Sequence, residues 1–250
     1  MNVPRSLGEM PRRPRIFVYG DPGVGKTPLA TSAPRTIVLN ADGGDALESA
    51  REQSKNFKVI DVEGHDDLWE FYRWMKVRLD KGQQPADWVW LDSITLFQDL
   101  GMDELMVEAV KRNQNRDPFI PDKPEYQKNQ NRLHSWVRHM TRLDVGFGMT
   151  AHTMRVVETN EDDEEVTIYM PSVQGGQGTL SSKLCARMSI IGRLYIVEKE
   201  VNGKKVARRM MQTRRRGAYY ARDRYNALGG SVTNPTVPKI VEAIEARRSA

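Results

Sequence analysis

Short apolar runs separated by amphipathic stretches set the plan of this chain. Ile16–Tyr19, Thr36–Asn40 and Trp88–Leu91 are too short to be helices. Each predicts a short strand, and Trp88–Leu91 a buried one. Phe57–Val62 and Val145–Thr150 read as further strands. Between them the period changes from two to about 3.6. A helix is expected over roughly Thr27–Ser32, another over Asp66–Leu79 with Asp66 or Asp67 as its cap, and two more over about Leu96–Arg112 and Glu125–Arg142. The polar, proline-containing stretch Asn113–Pro124 joins the last two. Strands alternating with helices predict an α/β fold with a mainly parallel sheet flanked by helices.

After Ala151-His152 the texture changes. Arg155–Val157 and Val166–Met170 predict a hairpin whose tip, Glu158 to Glu165, carries six acids and no base. Gln174–Gly178 reads as a flexible loop. Met188–Val197 and Lys205–Gln212 predict a second hairpin turning at Asn202-Gly203. A short helix over Lys239–Arg247 ends the chain. Residues 1–14 read as a flexible basic arm and residues 15–250 as a single domain.

Composition narrows the class. The chain has 250 residues and 39% hydrophobic content, enough for one α/β domain with a sizeable core. No apolar run has the length of a membrane span, and a single cysteine, Cys185, excludes an internal disulfide and fits a reducing cytoplasm. The net charge of +5 is unevenly spread. Lys183 to Arg224 holds thirteen Lys and Arg against three acids, Glu198, Glu200 and Asp223. Such a segment is either a solvated face or a polyanion-binding surface, with Arg214-Arg215-Arg216 at its densest point. Tyr219 and Tyr220 beside it are either stacking faces for bases or core residues.

The sharpest chemical signal follows the first strand. Gly20-Asp21-Pro22-Gly23-Val24-Gly25-Lys26-Thr27 matches Gly-x-x-x-x-Gly-Lys-Thr, the P-loop pattern. The glycines let the backbone curl so that successive N–H groups face phosphate oxygens, Lys26 supplies a point charge, and Thr27 is a Mg²⁺ ligand candidate. Pro28, in the first helical turn, forfeits little. Trp88–Leu91 ends in Asp92, at the sheet edge that faces ligand crevices. Asp92 is either the second Mg²⁺ residue, the Walker B acid, or a helix cap. Because Ser93 follows it, a carboxylate to orient water must come from elsewhere. Asp42, in the turn Ala41-Asp42-Gly43-Gly44, is the first choice and Asp45 the second, an ordinary Asp-Gly turn being the alternative.

Taken in order, the P-loop, Asn40-Ala41-Asp42-Gly43-Gly44, Leu91-Asp92-Ser93-Ile94-Thr95, Thr150-Ala151-His152 and Ala221-Arg222-Asp223-Arg224 resemble the RecA-type ATPase core. Within it, the chain resembles short phage-encoded RecA-like ATPases grouped with single-strand annealing proteins. The resemblance spans nearly the whole chain. It implies a RecA-like core with C-terminal β-hairpins, ATP and Mg²⁺ as cofactors, and hydrolysis stimulated by single-stranded DNA. It also implies a homo-oligomer, ring or filament, in the host cell cytoplasm, serving recombination, annealing or replication. His152 takes the place of a polar sensor of the terminal phosphate, with a structural histidine as the alternative. Arg222 and Arg224 take the place of paired fingers, usually Lys-x-Arg, inserted into a neighbour's nucleotide site. The chain departs from the pattern at Arg222, where Lys is commoner, and at Asp42, where Glu is commoner. A P-loop kinase of a small metabolite, and a nucleotide-gated DNA-binding module without hydrolysis, are the competing readings.

Overall fold

The computed structural model describes residues 13–51, 57–159, 162–175, 178–201 and 204–249. Most of the expected basic arm, the Asn202-Gly203 turn and part of the 174–178 loop therefore lie outside the described residues.

Six parallel strands form the frame. In spatial order they are β3 (Phe57–Asp61), β2 (Thr36–Asn40), β4 (Trp88–Asp92), β5 (Gly146–Ala151), β1 (Arg15–Tyr19) and β8 (Ile190–Val201). An antiparallel flank continues the same sheet: β9 (Lys204–Gln212) on β8, β11 (Ser231–Thr233) on β9, and the two-residue β10 (Arg222–Asp223) also on β8. The hairpin β6 (Thr153–Thr159) and β7 (Glu165–Pro171) stands apart as its own two-stranded sheet.

Side chains alternate across the sheet, and each face packs its own set of helices. Phe17, Tyr19, Val89, Leu91, Phe147 and Met149 point to one face, which is covered by α3 (His65–Asp80), α4 (Ile94–Arg112), α5 (Lys123–Met140) and α6 (Thr179–Arg187). Ile16, Val18, Trp88 and Trp90 point to the other, against α1 (Lys26–Thr31) and α7 (Val237–Ser249). Gly146 and Gly148 are cut away for this packing. A Cβ at either position would run into the indole of Trp88 or Trp90.

The fold is the mixed α/β arrangement, a mainly parallel sheet flanked by helices with C-terminal antiparallel strands, that the periodicity predicts. Local details differ. Neither Asp66 nor Asp67 caps α3. Its N-cap is Gly64, and the Asp67 carboxylate instead accepts from the Glu63 N–H at 2.7 Å. A 3-10 turn, Gly44–Leu47, and the short α2, Glu48–Arg51, fill a stretch where the sequence predicts no element, and α6 does the same further on. The terminal helix runs over Val237–Ser249, longer than expected. Asp122 and Glu125 form a capping box that starts α5.

Candidate functional site

The strand order decides which groups meet. Because β5 lies between β1 and β4, the residues after it fall between the P-loop and Asp92. All three strands are parallel, so their carboxyl ends open onto one edge.

At that edge the loop Gly20–Thr27 turns through Gly23 (φ 80°) and Gly25 (φ 95°), both left-handed. Gly20 is also required. A Cβ there would lie 2.5 Å from the Leu194 carbonyl oxygen of β8. Lys26 is buried, and its Nζ donates to the Gly20 and Asp21 carbonyls, both at 2.9 Å. Burial lowers its pKa, while the carboxylates of Asp92, Asp21 and Asp42 act in the opposite direction.

Asp92 ends β4, buried, and accepts hydrogen bonds from the Thr150 and Thr27 hydroxyls. Burial raises its pKa, against those two hydrogen bonds and the nearby Lys26 charge. The capping role falls instead to Ser93, whose hydroxyl accepts from the Leu96 N–H of α4 at 3.3 Å. The role of Thr150 emerges only from the structure. Its one sequence signal is a hydroxyl within the otherwise apolar Val145–Thr150 run.

Asp42 and His152 come from different connections, yet they line the same cleft of about 230 Å³ as Lys26, Thr27 and Asp92. Asp42 follows β2 and is exposed, and its N–H is held by the Asn40 side chain at 3.2 Å. His152 follows β5. Its N–H donates to the Thr95 hydroxyl (3.0 Å), which donates to the Ser172 carbonyl (2.7 Å), and the Ser172 N–H returns to the His152 carbonyl (2.8 Å). Asp45 falls in the 3-10 turn after β2. Among the described residues no group of three or more His, Cys, Asp or Glu is arranged to hold a metal ion. A cation here would rest on Thr27, Asp92 and the phosphates themselves, as Mg²⁺ commonly does.

Arg209, a residue missed in the sequence, completes the cleft from β9. Its guanidinium lies against Gly25, where a Cβ would be 2.8 Å from its Nε. Arg208 is its equal in composition, and only the register of β9 separates the two.

Outside the cleft, Arg214, Arg215 and Arg216 are exposed. Tyr219, just beyond them, stacks on Tyr169 of β7 at 4.8 Å between centroids, and the Arg193 guanidinium covers its other side at 3.3 Å. The Tyr19 hydroxyl, just before the P-loop, lies 2.7 Å from the Tyr220 carbonyl and 3.1 Å from that of Tyr169. Arg222 and Arg224 do not line this cleft. The half-buried Arg222 donates to the Cys185 and Met188 carbonyls (2.5 and 3.0 Å), and Arg224 to that of Ala186 (2.6 Å), at the end of α6.

Comparison with known proteins gives a family described as an AAA domain, matching residues 12–225. Among solved structures, the chain is similar to one described as an ATPase domain. Identity is 14%, the alignment covers 90% of this chain and 81% of that one, and the TM-score is 0.45. No curated protein matches. Among the described residues no helix is long and apolar enough to cross a membrane.

Proposed function

The chain belongs to the AAA-domain family that matches residues 12–225, and from that premise we propose a Mg²⁺-dependent ATPase that binds single-stranded DNA and assembles head to tail. One observation carries the catalytic part: Lys26, Thr27, Asp42, Asp92 and His152 surround a single cleft.

ATP lies with its phosphates on the Gly20–Thr27 backbone. Lys26 exchanges its two loop carbonyls for phosphate oxygens. Thr27 and Asp92 hold Mg²⁺, which supplies neutralising charge to the terminal phosphates when bound. Asp42 takes a proton from water as the water oxygen bonds to the γ-phosphorus and the bond to the β,γ-bridging oxygen breaks, giving ADP and phosphate. The His152 ring donates to a γ-phosphate oxygen. Its backbone is bonded through Thr95 to Ser172, so the β6–β7 hairpin follows its position.

The exposed Arg214–Arg216 segment supports a single-strand contact made of charge, while Tyr219, stacked on Tyr169 and covered by Arg193, serves as a packed residue and not as a face for bases. On the resemblance to phage RecA-like proteins, the DNA role is recombination, annealing or replication support in the host cytoplasm. Arg222 and Arg224 act as fingers toward a neighbour only after leaving the carbonyls of α6. Mixing Arg224→Ala with Lys26→Ala protein tests this, because intact P-loops and intact fingers meet at some interfaces and restore turnover.

The decisive experiment is phosphate release with and without single-stranded DNA. Stimulated turnover that Lys26→Ala removes is the expected result. Tight nucleotide binding without turnover would leave a nucleotide-gated binding module. No DNA binding at low salt with an ATP analogue present would leave an ATPase with another partner.

A further inference from the structure

The phosphate cleft does not end at the P-loop. A second cavity of about 390 Å³ adjoins it, and the two share three lining residues: Gly25, Pro28 and Arg209. Asp42, Asp92 and His152 line only the first cavity; Ser32, Asn234 and Thr236 line only the second. Arg209 therefore stands at the end of the phosphate cleft remote from Asp92, where the phosphate chain of a nucleotide would give way to its sugar and base.

Its placement is built. The Arg209 N–H donates to the Asn234 Oδ1 at 3.3 Å, and the Asn234 N–H donates back to the Arg209 carbonyl at 2.7 Å. Asn234 itself takes a left-handed conformation (φ 45°), and its carbonyl accepts from Lys239 Nζ at 3.1 Å. Strand alternation then sends the Arg209 side chain toward Gly25, and a Cβ on Gly25 would lie within 2.8–3.1 Å of Nε, Cδ and Cζ. The neighbouring Arg208 is exposed.

We propose that Arg209 is a nucleotide-contacting residue supplied by the same protomer. Its guanidinium binds the α/β-phosphate end of a nucleoside diphosphate or triphosphate and walls the second cavity, which receives the nucleoside. The contact makes β9, a strand of the basic hairpin, part of the nucleotide site. The inference rests on the reading of Gly20–Thr27 as a nucleotide site.

The test is binding of ADP and of a non-hydrolysable ATP analogue, in the absence of DNA, to native protein and to Arg209→Ala, Arg208→Ala and Lys26→Ala variants. Loss of a charge-assisted hydrogen bond corresponds to a weakening of about tenfold to a hundredfold. Arg209→Ala should weaken ADP and the ATP analogue alike by that factor, with Arg208→Ala within about twofold of native. A loss confined to the ATP analogue would overturn the α/β assignment, since it would put the guanidinium on the γ-phosphate. Near-native binding by Arg209→Ala, with Lys26→Ala impaired, would overturn the proposal and leave the P-loop reading intact. Native affinity in both variants would sink the P-loop reading itself. A readout on unaltered protein guards against misfolding of the variants. ADP should shield Arg209, and not Arg208, from an arginine-selective dicarbonyl mapped by mass spectrometry. Equal labelling of Arg209 with and without ADP would defeat the proposal.

Discussion

Strands β2, β4 and β5 are buried along their whole length, whereas β9 exposes every position from Lys205 to Arg208 to solvent. In the first region apolar packing on both faces fixes the register, since a one-residue slip would exchange Trp90 with Leu91 between two differently shaped cores. The groups at the strand ends, Asp92 and Thr150 among them, are placed by that packing. In the second region the register is carried by nine paired positions with β8 and by the Asn234 clamp on Arg209. Both regions deliver side chains to the same cleft. Burial positions the first set and local pairing positions the second.

The contrast breaks most sharply under core truncation. Trp90→Ala, in the parallel half, should lower stability by about 3–5 kcal/mol, while Val206→Ala on β9, 39% exposed, should stay within about 0.5 kcal/mol. Urea unfolding of both variants measures it, and comparable losses would erase the distinction. Function should divide the other way. Lys26→Ala should slow phosphate release by roughly a hundredfold or more without unfolding the sheet, as circular dichroism would show.

A third test uses His65, buried where α3 meets α4 and α5. Its Nε2 donates to Asn129 Oδ1 at 2.7 Å, and its Nδ1 is buried with no partner among the described residues. Burial depresses the pKa from 6.5 to about 4. The unfolded chain therefore binds a proton that the folded chain refuses between those values. The stabilisation is complete above about pH 6.5 and is lost as pH falls toward 4, by at most about 3 kcal/mol. Denaturation midpoints at pH 7 and 4.5 for native protein and His65→Gln give the difference, and a pH response unchanged in the variant would assign it elsewhere. The smallest change is the most local. Neutralising Arg214, Arg215 and Arg216 together should weaken single-strand binding across all sequences and flatten its log–log salt slope by about 0.7 for each phosphate no longer neutralised. Fluorescence titration at several salt concentrations reads it.

What was legible in the sequence follows the same division. β2, β4 and the P-loop strand announce themselves because burial on both faces demands unbroken apolar runs. Lys26, Thr27 and Asp92 stood out because the P-loop pattern and an acid at a strand's end mark such positions, and the structure brings the three to one cleft. Asp42 and His152 were legible as residues after strands, and parallel topology brings such positions to one edge. Arg209 was not legible, since nothing in Arg208-Arg209 says which side chain faces the loop until β9 has a register. α6 was missed because its amphipathic pattern follows directly on a glycine-rich loop. The seat of Arg222 and Arg224 on that helix's last carbonyls was hidden with it.

Tyr19 ties the start of the P-loop to carbonyls 150 and 201 residues further along the chain, and Gly20 backs onto Leu194 of β8. During synthesis the Gly20–Thr27 sequence leaves the ribosome well before its supporting wall, parts of which follow 150 and 201 residues after Tyr19. Contacts so distant in sequence form slowly and late. The proposed nucleotide site is thus completed only once Tyr169, Leu194 and Tyr220 have been made, and a bound nucleotide would be a ligand of the finished fold and not a template for its early folding.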